Sequence, residues 1–544
     1  MNSSVTIKTF LIAILVLLIS QHSFSQATQQ WVSRYNGTAN SADVPSSMVL
    51  DNAGNIYITG RSQYANATLR DYTTIKINPA GVLQWSANYN GTANVTDESR
   101  AIAVDGSGNV YITGVSYTTV TDGDCVTIKY NSNGDSVWVK KYGFPSFDAG
   151  NSIAVDNFGN VYVAAASTGN LGTGNDYATI KYSSIGDTLW VRRYTSLNND
   201  EFATSIHLDD SNNVYVTGVS FPGKFVTLKY DSEGVLKWTS IYNGPEPSQN
   251  GEITVMSDLD HLGNLYITGR SLGTGTNFDY ATIKYNSAGV QQWASRYNGT
   301  GNFLDFPYGI KADGSGNVYV TGRSDGSGTG LDFATLKYNS SGEQQWVRRY
   351  HESSGDGATS LGVDAAGNVY VTGYVSGNGT SLDYVTIKYN SSGDQIWKIV
   401  YDNGSGISAY DLPLALVVDN TGNIFVTGAS TQNISEDFCT IKYTQSVGIN
   451  QISSGIPEQF SLSQNYPNPF NPSTKIRFQI SELSQTKLFI YDALGSVVAN
   501  LVNEKLLPGI YEAEFNASDI SSGAYFYKLE SNGFSETKKM FLIK

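Results

Sequence analysis

The sequence predicts an all-β protein: an eight-bladed β-propeller of four-stranded blades, closed by the N-terminal strand and followed by a small C-terminal β-sandwich. Three observations predict it. All eight Trp occupy one position of a repeat (Trp31, Trp85, Trp138, Trp190, Trp238, Trp293, Trp346 and Trp397), 48–55 residues apart, each with a Tyr four residues on. A turn opening with Asp, usually Asp-x-x-Gly-Asn, follows in every repeat and leads into Tyr-Val/Ile-Thr-Gly or a near copy. Helical periodicity is absent, whereas each unit holds four strand-like runs bounded by turn residues.

Composition agrees. Gly is 55 of 544 residues, Tyr 36, and charged residues only 15%. That pattern favours short strands and turns over disorder or coiled coil. A repeat of about 50 residues with four strands suits a propeller blade, which buries its faces against its neighbours. The small apolar run before each turn, such as Ala101–Val104, suits the crowded innermost strand. The Trp-x-x-x-Tyr run then reads as the outermost strand. The first Trp run has no inner strand before it and the last unit has no Trp run after it, so residues 31–35 complete the last blade. An open solenoid or two smaller rings are the other arrangements this pattern admits.

The elements in order are these. Residues 1–25 carry Lys8, then an apolar run from Phe10 to Ile19, then small and polar residues to Ser25. The run is short for a bilayer span and reads as a secretory signal peptide. No later segment is long and apolar enough to span, so the mature protein is expected to have no transmembrane span. Residues 26–446 form the propeller and 447–459 a polar linker. Residues 460–544 hold alternating strands after the Pro-rich run Asn465-Tyr-Pro-Asn-Pro-Phe470, whose prolines force extended backbone.

The units resemble the SBBP-type bacterial β-propeller repeats, through runs such as Asp313-Gly-Ser-Gly-Asn-Val-Tyr-Val-Thr-Gly322 and Asp332-Phe-Ala-Thr-Leu-Lys-Tyr-Asn339. That family is described as seven-bladed; eight copies depart from it, as does the shortened loop of Gly218–Lys229 in repeat four. The C-terminal segment resembles the type A sorting domain of the type IX secretion system. The resemblance is carried by Asn465, Pro467, Asn468, Pro469 and Phe470, by Ile490-Tyr-Asp-Ala-Leu-Gly495, by the Ser522-Gly523 strand start and by the Lys538-Lys539-Met-Phe-Leu-Ile-Lys end. It implies export across the outer membrane by the type IX machinery, as a partner, to the cell surface or medium.

Net charge is −14. Residues 460–544 balance, so the excess lies on the repeats. It argues against nucleic acid, whose phosphates demand a basic face. Two Cys make no disulfide framework, and four scattered His do not form the spacing of a histidine metal site. Both Cys read as small core residues.

One acid stands eight residues before each turn Asp: Asp43, Asp97, Asp148, Glu201, Glu252, Asp305, Asp356 and Asp411. The loops carrying them lie on one face of a propeller, so the eight are the candidate acidic ring at the channel mouth. A second acid precedes the aromatic of the third strand in seven repeats (Asp71, Asp124, Asp176, Asp279, Asp332, Asp383 and Asp437). Such carboxylates cap loops or pair with recurrent bases; an oxygen-only cluster would otherwise suit calcium as a cofactor. The Trp and Tyr rows read as packing between blades rather than as sugar platforms. No nucleophile, base and orienting group converge, and His207, His261 and His351 fall at unrelated positions. The expected function is therefore a secreted binding module for a glycan or protein. An extracellular polysaccharide-acting enzyme and a structural surface-layer component are the alternatives.

Overall fold

The structure is a computed structural model. It describes residues 27–544 except 64–68, 120–121, 145, 170–173, 197–198, 247–254, 354, 377–381, 405–409, 433–434, 446–448, 454 and 518–519. Residues 1–25, read as a signal peptide, lie outside the described residues. Among the described residues there is no helix long and apolar enough to cross a membrane. The chain divides into two compact units, one comprising residues 26–445.

That unit contains eight four-stranded antiparallel sheets. Sheets 1 to 7 span 43–89, 97–142, 148–194, 201–242, 255–297, 305–350 and 357–401, each in simple meander order. Sheet 8 joins Asp411–Val418, Ile424–Gln432 and Ser435–Gln445 to the N-terminal strand Ala27–Tyr35. The expected pairing of the first strand with the last unit is present, with Trp31 opposite Lys442 and Tyr35 opposite Phe438.

Burial follows the sequence pattern. In sheet 2 the second strand, Val110–Tyr117, is buried along almost its whole length, while the fourth, Ser136–Tyr142, is largely open apart from Trp138. Eight apolar clusters each combine two neighbouring sheets. Tyr57 and Tyr72 of sheet 1 pack on Ile102, Val110, Ile112, Val126 and Ile128 of sheet 2. Equivalent clusters follow between each later pair. One more brings Met48, Ile56, Ile58, Ile75 and Ile77 of sheet 1 against Phe425 and Phe438 of sheet 8.

The recurrent residues are the joints. Asp105 shows the turn: its carboxylate accepts Ser107 N–H (2.9 Å), Asn109 N–H (2.9 Å), Asn109 Nδ2 (2.8 Å) and the Tyr111 hydroxyl (2.9 Å). The turn's fourth residue is left-handed, Gly at φ near +77° in sheet 2, where a side chain would be strained. Sheet 4 uses Asn212 instead, at φ 58°, a residue type that tolerates this region. Trp Nε1 donates to a turn carbonyl of the next sheet: Trp85 to Ser132 (3.0 Å), Trp190 to Ser232 (3.1 Å), and Trp31 of sheet 8 to Pro79 of sheet 1 (3.1 Å). The glycine of that turn lies against the indole; a Cβ on Gly134 would come 2.7 Å from Trp85 Cδ2. The aromatic rows are inter-sheet packing, as read. The repeat Lys lies over the repeat Tyr and reaches the next sheet too, as Lys129 does with Tyr111 (5.3 Å) and Ser184 O (3.0 Å). Cys125 and Cys439 are free and buried.

The second unit includes residues 446–544. It has two four-stranded sheets around one core of Phe478, Leu488, Ile490, Tyr527, Leu529 and Met540, among others. The expected linker 447–459 is partly sheet: Ile449–Ser453 pairs with Gly509–Asn516. Its polar composition hid it because an edge strand needs backbone pairing more than apolar side chains. The Asn465–Phe470 run is tied to the last strand. Asn468 Oδ1 accepts Phe541 N–H (2.9 Å), Phe470 N–H donates to Phe541 O (3.0 Å), and Ile543 N–H donates to Phe470 O (3.0 Å). Asn465 N–H donates to the Tyr527 hydroxyl (2.8 Å), and its amide to Pro467 O and Thr474 Oγ1. Pro467 and Pro469 are exposed. Gly495 closes a turn at φ 86° and Gly523 opens a strand. Lys538 pairs with Glu536 (2.9 Å), and Lys539 lies over Phe541 (4.5 Å).

Candidate functional site

The face carrying the loops between consecutive sheets was the expected site. Of its eight candidate acids, Asp43, Asp97, Asp148, Glu201, Asp305, Asp356 and Asp411 have 0% exposure; Glu252 lies outside the described residues. This corrects the expectation of a ligand-facing ring. A tight loop leaves backbone donors without partners, and a carboxylate turned inward satisfies them. Gly37 N–H donates to Asp43 (2.6 Å), Gly91 to Asp97 (2.6 Å), Phe144 to Asp148 (2.7 Å), Gly299 to Asp305 (2.8 Å), Glu352 to Asp356 (2.7 Å) and Asn403 to Asp411 (3.3 Å). Glu201 accepts the hydroxyls of Ser196 and Ser220. Burial pushes the carboxyls of Asp43, Asp97, Asp148, Glu201, Asp305 and Asp411 above their ordinary range, with these hydrogen bonds opposing it.

The second acids complete a repeated node. In sheet 3 the Arg193 guanidinium donates to Asp176 Oδ2 (2.6 Å), Ser167 Oγ (2.7 Å), Ser167 O (2.9 Å) and the Tyr142 hydroxyl of sheet 2 (3.1 Å). Arg296 repeats this with Asp279, Ser271 and Tyr242. Arg349 does so with Asp332, Ser324 and Tyr297. Lys141 stands 3.7 Å from Asp124 in sheet 2. Sheet 4 has Ile241 in the basic position and no second acid, so base and acid are lost together.

Sheets 1 and 7 keep the acid and lose the base, with Asn88 and Val400 in its place. Burial and the charge of Asp97 raise the Asp71 carboxyl to about 6. Burial and the charges of Asp402, Asp411 and Glu352 raise Asp383 to about 6. Asp383, Asp402 and Asp411 bring carboxylate oxygens within 4.8 Å of one another. A carboxyl raised in the folded state costs stability as pH climbs from its unfolded value through its folded one. Asp383→Asn should therefore raise the melting temperature at pH 7.5 and leave it unchanged near pH 4. Equal effects at both pH values would refute this.

A second arrangement was missed. Two residues before the turn Asp, five sheets carry Val49, Ala103, Ala154, Gly362 and Val417, whereas three consecutive ones carry His207, Asp258 and Lys311. All eight pair opposite the Tyr, or Phe425, of their second strand. Lys311 Nζ stands 3.0 Å from Asp258. His207 Nε2 lies 3.1 Å from Ser205 Oγ, 3.0 Å from Ser257 O and 3.1 Å from Ser257 Oγ. Ser257 replaces the Ile, Leu or Met that the other sheets place there, and the imidazole occupies the resulting space. Burial pushes the His207 imidazole below its ordinary value. Counting back from the turn Asp would have exposed this row; treating the His as unrelated concealed it.

Comparison with known proteins adds two families. The family described as secretion system C-terminal sorting domain matches residues 464–544. The SBBP β-propeller repeat matches 30–65, 84–119, 137–172 and 292–328. An uncharacterized WD repeat-containing protein of Acanthamoeba polyphaga mimivirus is 21% identical over 416 residues, 66% of this chain. The chain spans only 26% of that relative's length. Among solved structures, PorZ of Porphyromonas gingivalis, an essential surface component of the type IX secretion system, is 14% identical. It covers 90% of this chain and 68% of its own at a TM-score of 0.39. An ulvan lyase is 9% identical, covering 76% and 95% at a TM-score of 0.40.

Proposed function

Because the chain carries SBBP β-propeller repeats and a secretion system C-terminal sorting domain, we propose that it is an exported eight-bladed propeller serving as a binding module at the cell surface or in the medium. The ring is closed by Ala27–Tyr35 in sheet 8, and its cargo role rests on residues 460–544, read by the type IX machinery after residues 1–25 direct the chain across the inner membrane. The observation that carries the reading is the sorting domain joined to the SBBP β-propeller repeats. Such a body offers its loop face to an extracellular glycan or protein. One oxygen of each acidic-loop carboxylate of Asp43, Asp97 and Asp305 accepts a loop N–H donor, and the other is buried without a partner.

Expression of the full chain and of a chain ending at residue 446 in a bacterium with a type IX system tests the export half. The full chain is expected in the medium or open to added protease on intact cells, and the shortened chain retained in the periplasm. Equal export of both would overturn it. Release of new reducing ends from an extracellular polysaccharide by the purified full chain would replace the binding reading with the enzyme one.

A further inference from the structure

In seven sheets the Tyr of the second strand donates its hydroxyl to the turn Asp, at 2.8–3.2 Å. Sheet 8 has Phe425 there, and Asp419 Oδ2 accepts only the Asn423 side-chain amide (2.7 Å). Packing does not account for the change, because Phe425 meets Trp31 with ring centroids 6.2 Å apart, just as Tyr57 meets Trp85. The missing phenol leaves space towards sheet 1. In five other sheets a Cβ on the turn glycine (Gly108, Gly159, Gly263, Gly316 or Gly367) would come 3.1–3.6 Å from the phenol oxygen of the preceding sheet. A Cβ on Gly54 of sheet 1, whose preceding sheet carries Phe425, would meet only Pro79 of its own sheet within 4 Å. The repeat Lys differs as well. Lys129 and Lys181 donate to Ser184 O (3.0 Å) and Ser232 O (2.8 Å) of the next sheet. Lys442 lies over Phe425 (5.3 Å) and, among the described residues, makes no such bond. A cavity of about 630 Å³ opens here between sheets 8 and 1, on the face of the short turns. Met48, Leu50, Val417 and Phe425 give it apolar walls, and Asp419 and Lys442 line it too. Burial pulls the Lys442 ammonium below its ordinary value, and the charge of Asp419 opposes this.

We propose that the cavity between sheets 8 and 1 binds a neutral sugar residue of an extracellular polysaccharide, one hydroxyl donating to Asp419 Oδ2 in place of the phenol and a neighbouring oxygen accepting from Lys442. This rests on the binding-module reading above and adds a site on the face opposite the loops. A carboxylate only accepts and an ammonium only donates, so a ligand that serves both needs groups able to do either, and adjacent hydroxyls are such groups. The apolar walls suit the C–H face of a pyranose, and the volume falls within the roughly 300–1,000 Å³ of ordinary ligand sites. Two turn carboxylates, Asp51 and Asp419, line the cavity against the single cation of Lys442, which disfavours a uronate or a sulfate ester.

The test is calorimetric titration of the full chain with maltotetraose, cellotetraose, laminaritetraose and tetragalacturonate. At least one of the three neutral sugars should bind, with little change at high salt. Phe425→Tyr restores the phenol that the other seven sheets carry. It should weaken that binding by about tenfold or more and melt no lower than the parent, so the loss is not one of folding. Lys442→Met, which keeps the apolar stem on Phe425, should weaken binding comparably. Lys129→Met, at the equivalent place between sheets 2 and 3, should leave it unchanged. Neutral-sugar binding that survives either Phe425→Tyr or Lys442→Met overturns this site while leaving a glycan-binding module. Tighter binding of tetragalacturonate than of every neutral sugar overturns the ligand class. No binding of any of the four would sink both the site and the glycan form of the module.

Discussion

Arg193→Met should be among the most damaging single substitutions in the repeats, costing about 3–5 kcal/mol. The variant leaves the Asp176 side chain, 6% exposed, without its cation, and strips a donor from Ser167 and from Tyr142 of the preceding sheet. The Asp176 charge, which already helps to raise the Glu201 carboxyl, is then no longer offset by the guanidinium bound to it. The loss should be larger at pH 8 than at pH 5, because an unpaired buried carboxylate relieves itself by taking a proton. The double variant Arg193→Met/Asp176→Asn should recover most of the stability. Thermal unfolding at the two pH values measures this; a single variant as stable as the parent at pH 8 would remove the node from the account of stability. Sheet 4 anticipates the double variant, since it lacks both members.

Gly322→Ala should be comparably severe through a different cause. A Cβ there would overlap Phe306 O and lie 2.7 Å from both Pro307 Cα and the Tyr280 hydroxyl. The obstacle is largely backbone, which cannot swing aside, so the expected cost is about 3 kcal/mol. Gly60, Gly114, Gly218, Gly373 and Gly428 are hemmed in the same way by a backbone carbonyl and an aromatic ring of the preceding sheet. Sheet 3 is the informative exception. It has Ala165 at this register, opposite Gly150 rather than Pro, Ser or Ala. Gly106→Ala, with nothing within 4 Å of the added carbon, is the matched control and should be silent. Differential scanning calorimetry separates the two, and equal melting temperatures would refute the crowding argument.

Most of the architecture was written in period and phase. Trp138, Asp105 and Lys129 recur because each makes the same contact with the neighbouring sheet, so recurrence itself reported packing. The strand order inside a sheet and the pairing of residues 31–35 with the last unit followed from where the pattern starts and stops. The acid loops were misjudged for a physical reason: a carboxylate turned inward to accept Gly91 N–H and one turned outward to a ligand occupy the same place in sequence. The row of His207, Asp258 and Lys311 was legible by counting two back from each turn Asp. Ile449–Ser453 escaped because an edge strand can be polar.

The pairing of Ala27–Tyr35 with Ser435–Gln445 imposes a timetable. The first strand made is the last to find its partner, and some 400 residues intervene. At ordinary synthesis rates that interval is about 20–80 s. During it, Trp31 and Tyr35 have no sheet to join, and the face of sheet 1 that holds Ile56, Ile58 and Ile75 waits for Phe425 and Phe438 of sheet 8 to cover it. A polypeptide cut short before residue 435 keeps that defect permanently. A chain that lacks its final repeat therefore keeps Ala27–Tyr35 without its pairing strand, a defect that only the complete set of sheets removes.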